Sequence, residues 1–280
     1  MSERRTKIPL EDQFEDVLTK AAVGLGFSKR HLAELSGLPL TTVQGLFRGQ
    51  LSRDSLQTVA PFLGLNPQKL LAMATGQSQP DTLPVDTLRQ LSTFWKLGHG
   101  DGMWVNNYML IDVQSQSAIL FDAGVDATQV LSNLNAYRLN LAAIFITHTH
   151  RDHVEALPEI VSATECPFIF SPSGEPLISN ATGIRAGDTH QIGNWSICAV
   201  ASAGHSPDGL SYIVEGAGQP LVFVGDALFA LSMGGARKAY VRARTEVREN
   251  ILSLTPESIL CPGHGPISTV QHELTYNPFF

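Results

Sequence analysis

The chain reads Thr147-His148-Thr149-His150-Arg151-Asp152-His153 directly after an apolar run, which places four borderline metal donors within six residues. In an extended segment residues two apart share a side, so His148, His150 and Asp152 are expected to converge on one point while His153 faces elsewhere. Four such donors crowd one tetrahedral ion but divide readily between two adjacent ions. Three further donors stand beside glycines where strands should end: His205 in Ala203-Gly204-His205-Ser206-Pro207, Asp226 in Val224-Gly225-Asp226-Ala227, and His264 in Pro262-Gly263-His264-Gly265-Pro266. Glycine there lets the backbone turn and approach an ion. Two cations about 3.5–4 Å apart lower the pKa of a shared water toward ~7, creating a bound hydroxide, and polarise the carbonyl it attacks. Hydrolysis is the chemistry this points to. No Ser-His-Asp or Cys-His arrangement is needed, and no glycine-rich phosphate loop opens a helix.

The elements that must carry these donors follow from periodicity. After residue 90 the texture is that of short β-runs, with strands expected at 105–113, 118–122, 141–147, 195–201, 210–214 and 220–224. Amphipathic spacing predicts helices at 126–137, 154–163 and 245–254. Strands and helices alternate within one unit of mixed α/β type.

The order H-x-H-x-D-H, then His205, Asp226 and His264, resembles the metallo-β-lactamase superfamily over residues ~90–280. Ala-Gly-His-Ser-Pro, Gly-Asp-Ala-Leu-Phe, Pro-Gly-His-Gly-Pro and the late Asn-Pro-Phe look most like glyoxalase II and its relatives. The resemblance implies an αββα sandwich of four layers with the site on one edge. It implies His148, His150 and His205 on one ion, Asp152, His153 and His264 on the other, and Asp226 bridging, with Asp152 and Asp226 as the catalytic carboxylates. It implies two divalent ions, zinc foremost with iron or manganese as the other choices, and a hydroxyacylglutathione hydrolase-like thioesterase. With 16 residues after His264, the helical carboxy-terminal domain that holds glutathione in those relatives is expected to be missing, and Ser232-Met233-Gly234-Gly235-Ala236 stands where they carry Gly-Arg. Gly225-Asp226-Ala227-Leu228 also resembles the persulfide dioxygenases of the same superfamily, which use one iron held by two histidines and an aspartate.

Other residues carry secondary expectations. Asp122, in Phe121-Asp122-Ala123-Gly124, could orient a ligand histidine. Arg237, Lys238, Arg242, Arg244 and Arg248 form a basic run after the Asp226 segment; Arg237 and Lys238 are the candidate contacts for an anionic substrate. His99, His190 and His272 read as residues without chemistry, and Asn107 and Tyr108 as ordinary strand residues.

The remaining quarter of the chain reads differently. Residues 1–75 carry nine basic against seven acidic side chains, whereas the rest carries ten against nineteen. From Glu11 to Thr75 apolar residues recur at three- and four-residue spacing in five short helices. Gly24 and Gly26 are expected to end the first, Ser28 to cap the second, Thr41 the third and Asn66 the fifth, with Pro67 at its first position. The run from Ala33 to Met73 resembles the helix-turn-helix domain of the phage-repressor and Cro type. That resemblance implies Thr41, Thr42, Gln44 and Arg48 as DNA contacts, Gln44 suited to adenine and Arg48 to guanine or phosphate. The alternative is a helical bundle that packs on the second domain or on a second copy in a homodimer. A DNA-binding regulator with a metallohydrolase-like sensor domain is thus a further functional reading. Residues 76–90 have the composition of a linker, so the expected organisation is a helical domain at 1–75 and a hydrolase domain at 91–280, each separable from the other. Three widely spaced cysteines suit reduced thiols, and no apolar run reaches the ~18 residues of a membrane span, so a cytoplasmic protein with a small-molecule (thio)ester substrate and no membrane partner is expected.

Overall fold

The computed structural model describes residues 8–81, 85–97, 101–172, 181–216 and 218–280; His99 lies outside them. Twelve strands form two six-stranded sheets among the described residues. The first holds β1 (Leu88–Leu97), β2 (Asp101–Asp112), β3 (Ser117–Phe121), β4 (Asn140–Phe145), β5 (Ile169–Pro172) and β6 (Thr182–Ile184) in sequential order. The second runs from β12 (Ser268–Thr269) through β11 (Ile259–Pro262), β10 (Leu221–Gly225), β9 (Leu210–Glu215) and β8 (Trp195–Ala201) to β7 (Thr189–Ile192).

Period-two alternation explains the layering. One face of each sheet contributes Tyr108, Phe121, Phe145, Ile197, Tyr212 and Phe223 to a common core, where the Phe121 and Phe223 rings stack at 3.6 Å. The other face of the first sheet buries Met109, Leu120 and Ile144 against α6 (Thr128–Tyr137) and α8 (Leu157–Thr164). The other face of the second buries Val222, Val224 and Leu260 against α9 (Tyr240–Asn250) and the start of α10 (Val270–Tyr276). Helix, sheet, sheet and helix make the four layers expected. The first strand begins at Leu88, inside the stretch expected to be linker, because residues 88–97 pair along their whole length with β2.

Ahead of the sandwich lie α1 (Phe14–Leu25), α2 (Lys29–Ser36), α3 (Leu40–Leu46), α4 (Arg53–Val59) with a 3-10 turn at Ala60–Leu63, and α5 (Pro67–Ala74). Ser28 caps α2 by accepting from the His31 amide, and Asn66 caps α5. Thr41 does not cap α3: Pro39 precedes the helix, and Thr41 sits inside its first turn. Gly24 does not end α1 either, which closes at Gly26 in the left-handed conformation. Gly24 instead makes room for another element, since a Cβ there would lie 2.5 Å from the Tyr240 ring. The helical core is shared with the sandwich: Leu18, Leu32, Leu46 and Leu70 are buried in one cluster with Leu231, Met233, Ala236, Tyr240 and Phe279. No described helix is long and apolar enough to cross a membrane.

Candidate metal centre

Every donor sits beyond the end of a strand on one edge of the sandwich, in a loop or in the short helix that follows it. The β4 strand stops at Phe145, and the chain continues irregularly through His148 and His150 before α7 (Arg151–Val154). The parallel strands β10 and β11 pair Gly225 with Pro262, so Asp226, one residue on, and His264, two residues on, emerge close together. The antiparallel pair β8 and β9 closes with Ala201 opposite Leu210, and the loop between them carries His205. The Leu210 amide donates to the Thr147 carbonyl at 2.9 Å, which ties that loop to the His148 segment of the other sheet.

The donors fall into two sets, His148, His150, His205 and Asp226 in one and Asp152, His153 and His264 in the other, with ligand atoms inside each set within 4.8 Å of one another. Asp226 faces both. Its Oδ2 lies 3.3 Å from His205 Nε2 and 3.3 Å from His264 Nε2, and its Oδ1 lies 3.4 Å from His153 Nε2. His150 turns its Nδ1 toward His148 and His205, 3.0 Å from the Nε2 of each. Asp152 differs from the alternation expected of an extended segment. Residues 151–154 are a helical turn, which carries Asp152 away from His148 and His150 to 3.4 Å from His264.

The inner nitrogens are fixed from behind. Asp122 accepts from His153 Nδ1 at 2.9 Å and from the Thr147 amide and hydroxyl at 2.8 Å each, and Thr147 Oγ1 in turn lies 3.1 Å from His148 Nδ1. His264 Nδ1 donates to the Trp104 carbonyl at 2.8 Å and His205 Nδ1 to that of Gly235 at 3.2 Å. Each of these four imidazoles therefore presents Nε2 inward, the arrangement by which carboxylates and carbonyls set the tautomer of metal-ligating histidines. Asp122 has the orienting place expected of it.

Two supporting residues of β2 exceed their expectation: Asn106 carried none, and Tyr108 was expected to be an ordinary strand residue. Asn106 Nδ2 donates to the carbonyls of Pro262 and Gly265, and the Tyr108 hydroxyl to that of Pro262, so β2 clasps the His264 loop from both sides. Two polar side chains inside the otherwise apolar run of β2 were the available signal, because buried amides require partners. Gly263 is needed by close approach: a Cβ there would collide with Asp226 Oδ1 and lie 2.6 Å from His153 Cε1.

Charge coupling is strong. Burial lowers the pKa of His148 well below the usual imidazole value, aided by His153 beside it. Burial opposes protonation of His153 and His264 too, but Asp226 outweighs it with help from Asp122 at the first and Asp152 at the second, raising them to about 10 and about 11. Burial opposes ionisation of Asp226, yet His264 and His153 hold it well below the usual carboxylate range. His153 Nε2 and Asp226 Oδ1 are buried with no hydrogen-bond partner. Buried polar atoms are rarely left so, and cations between the two sets would satisfy both. Imidazole and carboxylate donors suit zinc, iron or manganese.

Of the other expected contacts, Arg237 and Lys238 are exposed just beyond Gly235, whereas Arg244 is engaged with the carbonyls of Gly64 and Phe279 and Arg242 with Glu246. Thr41 and Arg48 are exposed, and Thr42 and Gln44 partly so.

The fold is shared with solved metallo-beta-lactamases, and within it the seven donors gather into two candidate metal-holding sets. The sequence is 28% identical over 206 residues to a probable metallo-hydrolase of Streptococcus pyogenes, covering 62% of this chain and 85% of that protein. It is 28% identical over 158 residues to a hydroxyacylglutathione hydrolase of Bdellovibrio bacteriovorus, covering 56% of this chain but only 62% of that relative's length. The family described as Anti-Pycsar protein Apyc1 matches residues 93–173. Among solved structures, the BLEG-1 B3 metallo-beta-lactamase superposes with a TM-score of 0.57 at 26% identity, covering 69% of this chain and 98% of that one. ETHE1 from Myxococcus xanthus shares the fold with a TM-score of 0.55 at 22% identity, covering 67% and 83%. Neither the family match nor these relatives support the helix-turn-helix reading of the N-terminal helices.

Proposed function

We propose that the protein is a dinuclear metal-dependent hydrolase of thioesters. The observation that carries this reading is the partition of seven donors into two sets that share Asp226. Two divalent ions held there would supply an activated water and an electrophile for the carbonyl. The chain's own residues hold and align that chemistry: His148, His150 and His205 on one side, Asp152, His153 and His264 on the other, Asp226 between them. Asp122, Thr147 and the carbonyls of Trp104 and Gly235 keep the imidazole Nε2 atoms turned inward. Arg237 and Lys238 stand at the exposed end of the segment that holds His205 and would draw an anionic substrate toward it. A thiol leaving group has a pKa near ~8.5, so it departs as the thiolate without a strong acid beside the sulfur. The resemblance to a hydroxyacylglutathione hydrolase supports the thioester class.

The test is a panel of thioesters, lactones and phosphodiesters offered to protein reconstituted with zinc, iron or manganese, with metal counted by elemental analysis. Thioester turnover at two ions per chain is expected. Turnover confined to another class would overturn the substrate assignment, and oxygen consumption with a persulfide at one iron per chain would overturn the hydrolase.

A further inference from the structure

The segment 227–239 after Asp226 lies between the metal centre and the N-terminal helices. On its metal side, the Gly235 carbonyl receives His205 Nδ1, and the Phe229 ring stands edge-on to His264 with 5.5 Å between centroids. On its other side, the Ser232 hydroxyl donates to Asp12 at 2.5 Å, and Leu231, Met233 and Ala236 are buried with the helical core. The N-terminal segment also touches the loop of His264 directly, because Gly265 approaches Glu11 so closely that a Cβ there would lie 3.2 Å from its amide.

Lys20, on α1, is the cation of this wall. Its ammonium pairs with Asp12 and stands 4.8 Å from the centroid of the Phe229 ring, the same ring that packs on His264. Its side chain retains 21% exposure, whereas Asp12 retains 8%. Asp12 is shared with the Ser232 hydroxyl and fixes the ammonium in place, and an ammonium has three N–H donors of which this pairing takes one. An ammonium held between a buried carboxylate and an aromatic face is fixed in place, so less side-chain entropy is lost when it binds a further partner than for a mobile surface chain.

We infer that Lys20 is a specificity-determining residue supplied from outside the sandwich, and that it binds a carboxylate on the acyl part of the substrate. The inference rests on the thioesterase reading and narrows it to acyl thioesters that carry a free carboxylate. The N-terminal helices then act as one wall of the substrate site.

The experiment compares the S-succinyl and S-butyryl thioesters of N-acetylcysteamine, which differ in the terminal carboxylate of an acyl chain of the same length. Metal-reconstituted wild type, Lys20→Gln, Lys20→Arg and the double variant Asp12→Asn/Lys20→Gln are assayed. The double variant leaves no buried carboxylate without its cation, and so separates lost recognition from misfolding. Losing a hydrogen bond to a charged partner predicts that the ratio of kcat/KM for succinyl over butyryl falls about tenfold or more in Lys20→Gln and in the double variant, chiefly through KM, and recovers in Lys20→Arg. An unchanged ratio in both would overturn the assignment. Should wild type cleave neither thioester, the hydrolase reading falls on its own, and calorimetry of succinate against butyrate on the metal-loaded protein decides Lys20. A wild-type preference for succinate that Lys20→Gln abolishes supports the inference; no preference, or one that survives the substitution, overturns it.

Discussion

Substituting Asp122 by Asn isolates what holds the second donor set in register. Asp122 has φ +57, a left-handed conformation that Asn tolerates better than most residues, so the change leaves the backbone unstrained. It also leaves one oxygen to accept from the Thr147 amide at 2.8 Å. The other oxygen, which accepts from His153 Nδ1 at 2.9 Å and from the Thr147 hydroxyl at 2.8 Å, becomes an amide nitrogen that can only donate. Two donors then face a third donor in a buried space. Losing a charge-assisted hydrogen bond costs about 1.5–3 kcal/mol, and removing the carboxylate behind a metal-ligating histidine costs about 10–100-fold in affinity. The effect should be unequal. An ion held by Asp152, His153 and His264 would lose its directly oriented ligand, while one held by His148, His150 and His205 would feel the change only through Thr147, 3.1 Å from His148 Nδ1. Chelator competition followed by elemental analysis should show one site weakened by about 10–100-fold and the other by far less. The chelated protein should melt a few degrees lower, about 2–4 °C for each kcal/mol lost. Two sites of wild-type affinity and an unchanged melting temperature would refute the reasoning, because they would mean that His153 keeps its orientation without Asp122.

Other outcomes follow from the same geometry. Asp226→Ala should empty both sites together, whereas His264→Ala should mainly empty one; two retained ions in Asp226→Ala, counted by elemental analysis, would remove the bridging role. His153 and His264 are raised to about 10 and about 11, so their stabilisation of the chelated protein is fully present below ~6.5 and is lost as pH rises through those values, which thermal melts from pH 7 to 11 would follow. Metal must displace those protons, so loading near neutral pH should release them, read by calorimetry in buffers of different ionisation enthalpy. Deleting residues 1–75 would uncover Leu231, Met233, Tyr240 and Phe279, so the remainder should bind a hydrophobic dye and melt lower than the full chain.

The donors were legible in the sequence because metal chemistry restricts residue type and the local turn demands glycine: His205, Asp226 and His264 each stand beside one. Their assignment to sites was less so. Period-two reasoning groups Asp152 with His148 and His150, and it fails because the strand ends at Phe145 and 151–154 form a single helical turn too short to leave a periodic signature. Asn106 did leave a signal, a polar side chain in a buried strand, but its partners Pro262 and Gly265 lie over 150 residues away. Distance along the chain also hid the role of the N-terminal helices. The apolar face of α1 reads alike whether it meets its own bundle or another element, and Gly24 reads as a terminator when its function is to admit Tyr240. Ser232 and Asp12 are 220 residues apart, yet that contact and the buried Leu231 and Met233 seat the segment whose Gly235 carbonyl orients His205. The N-terminal helices are therefore coupled to the metal centre through packing that no local pattern encodes, and damage to α1 should register first at His205 and His264, before the core between the sheets is disturbed.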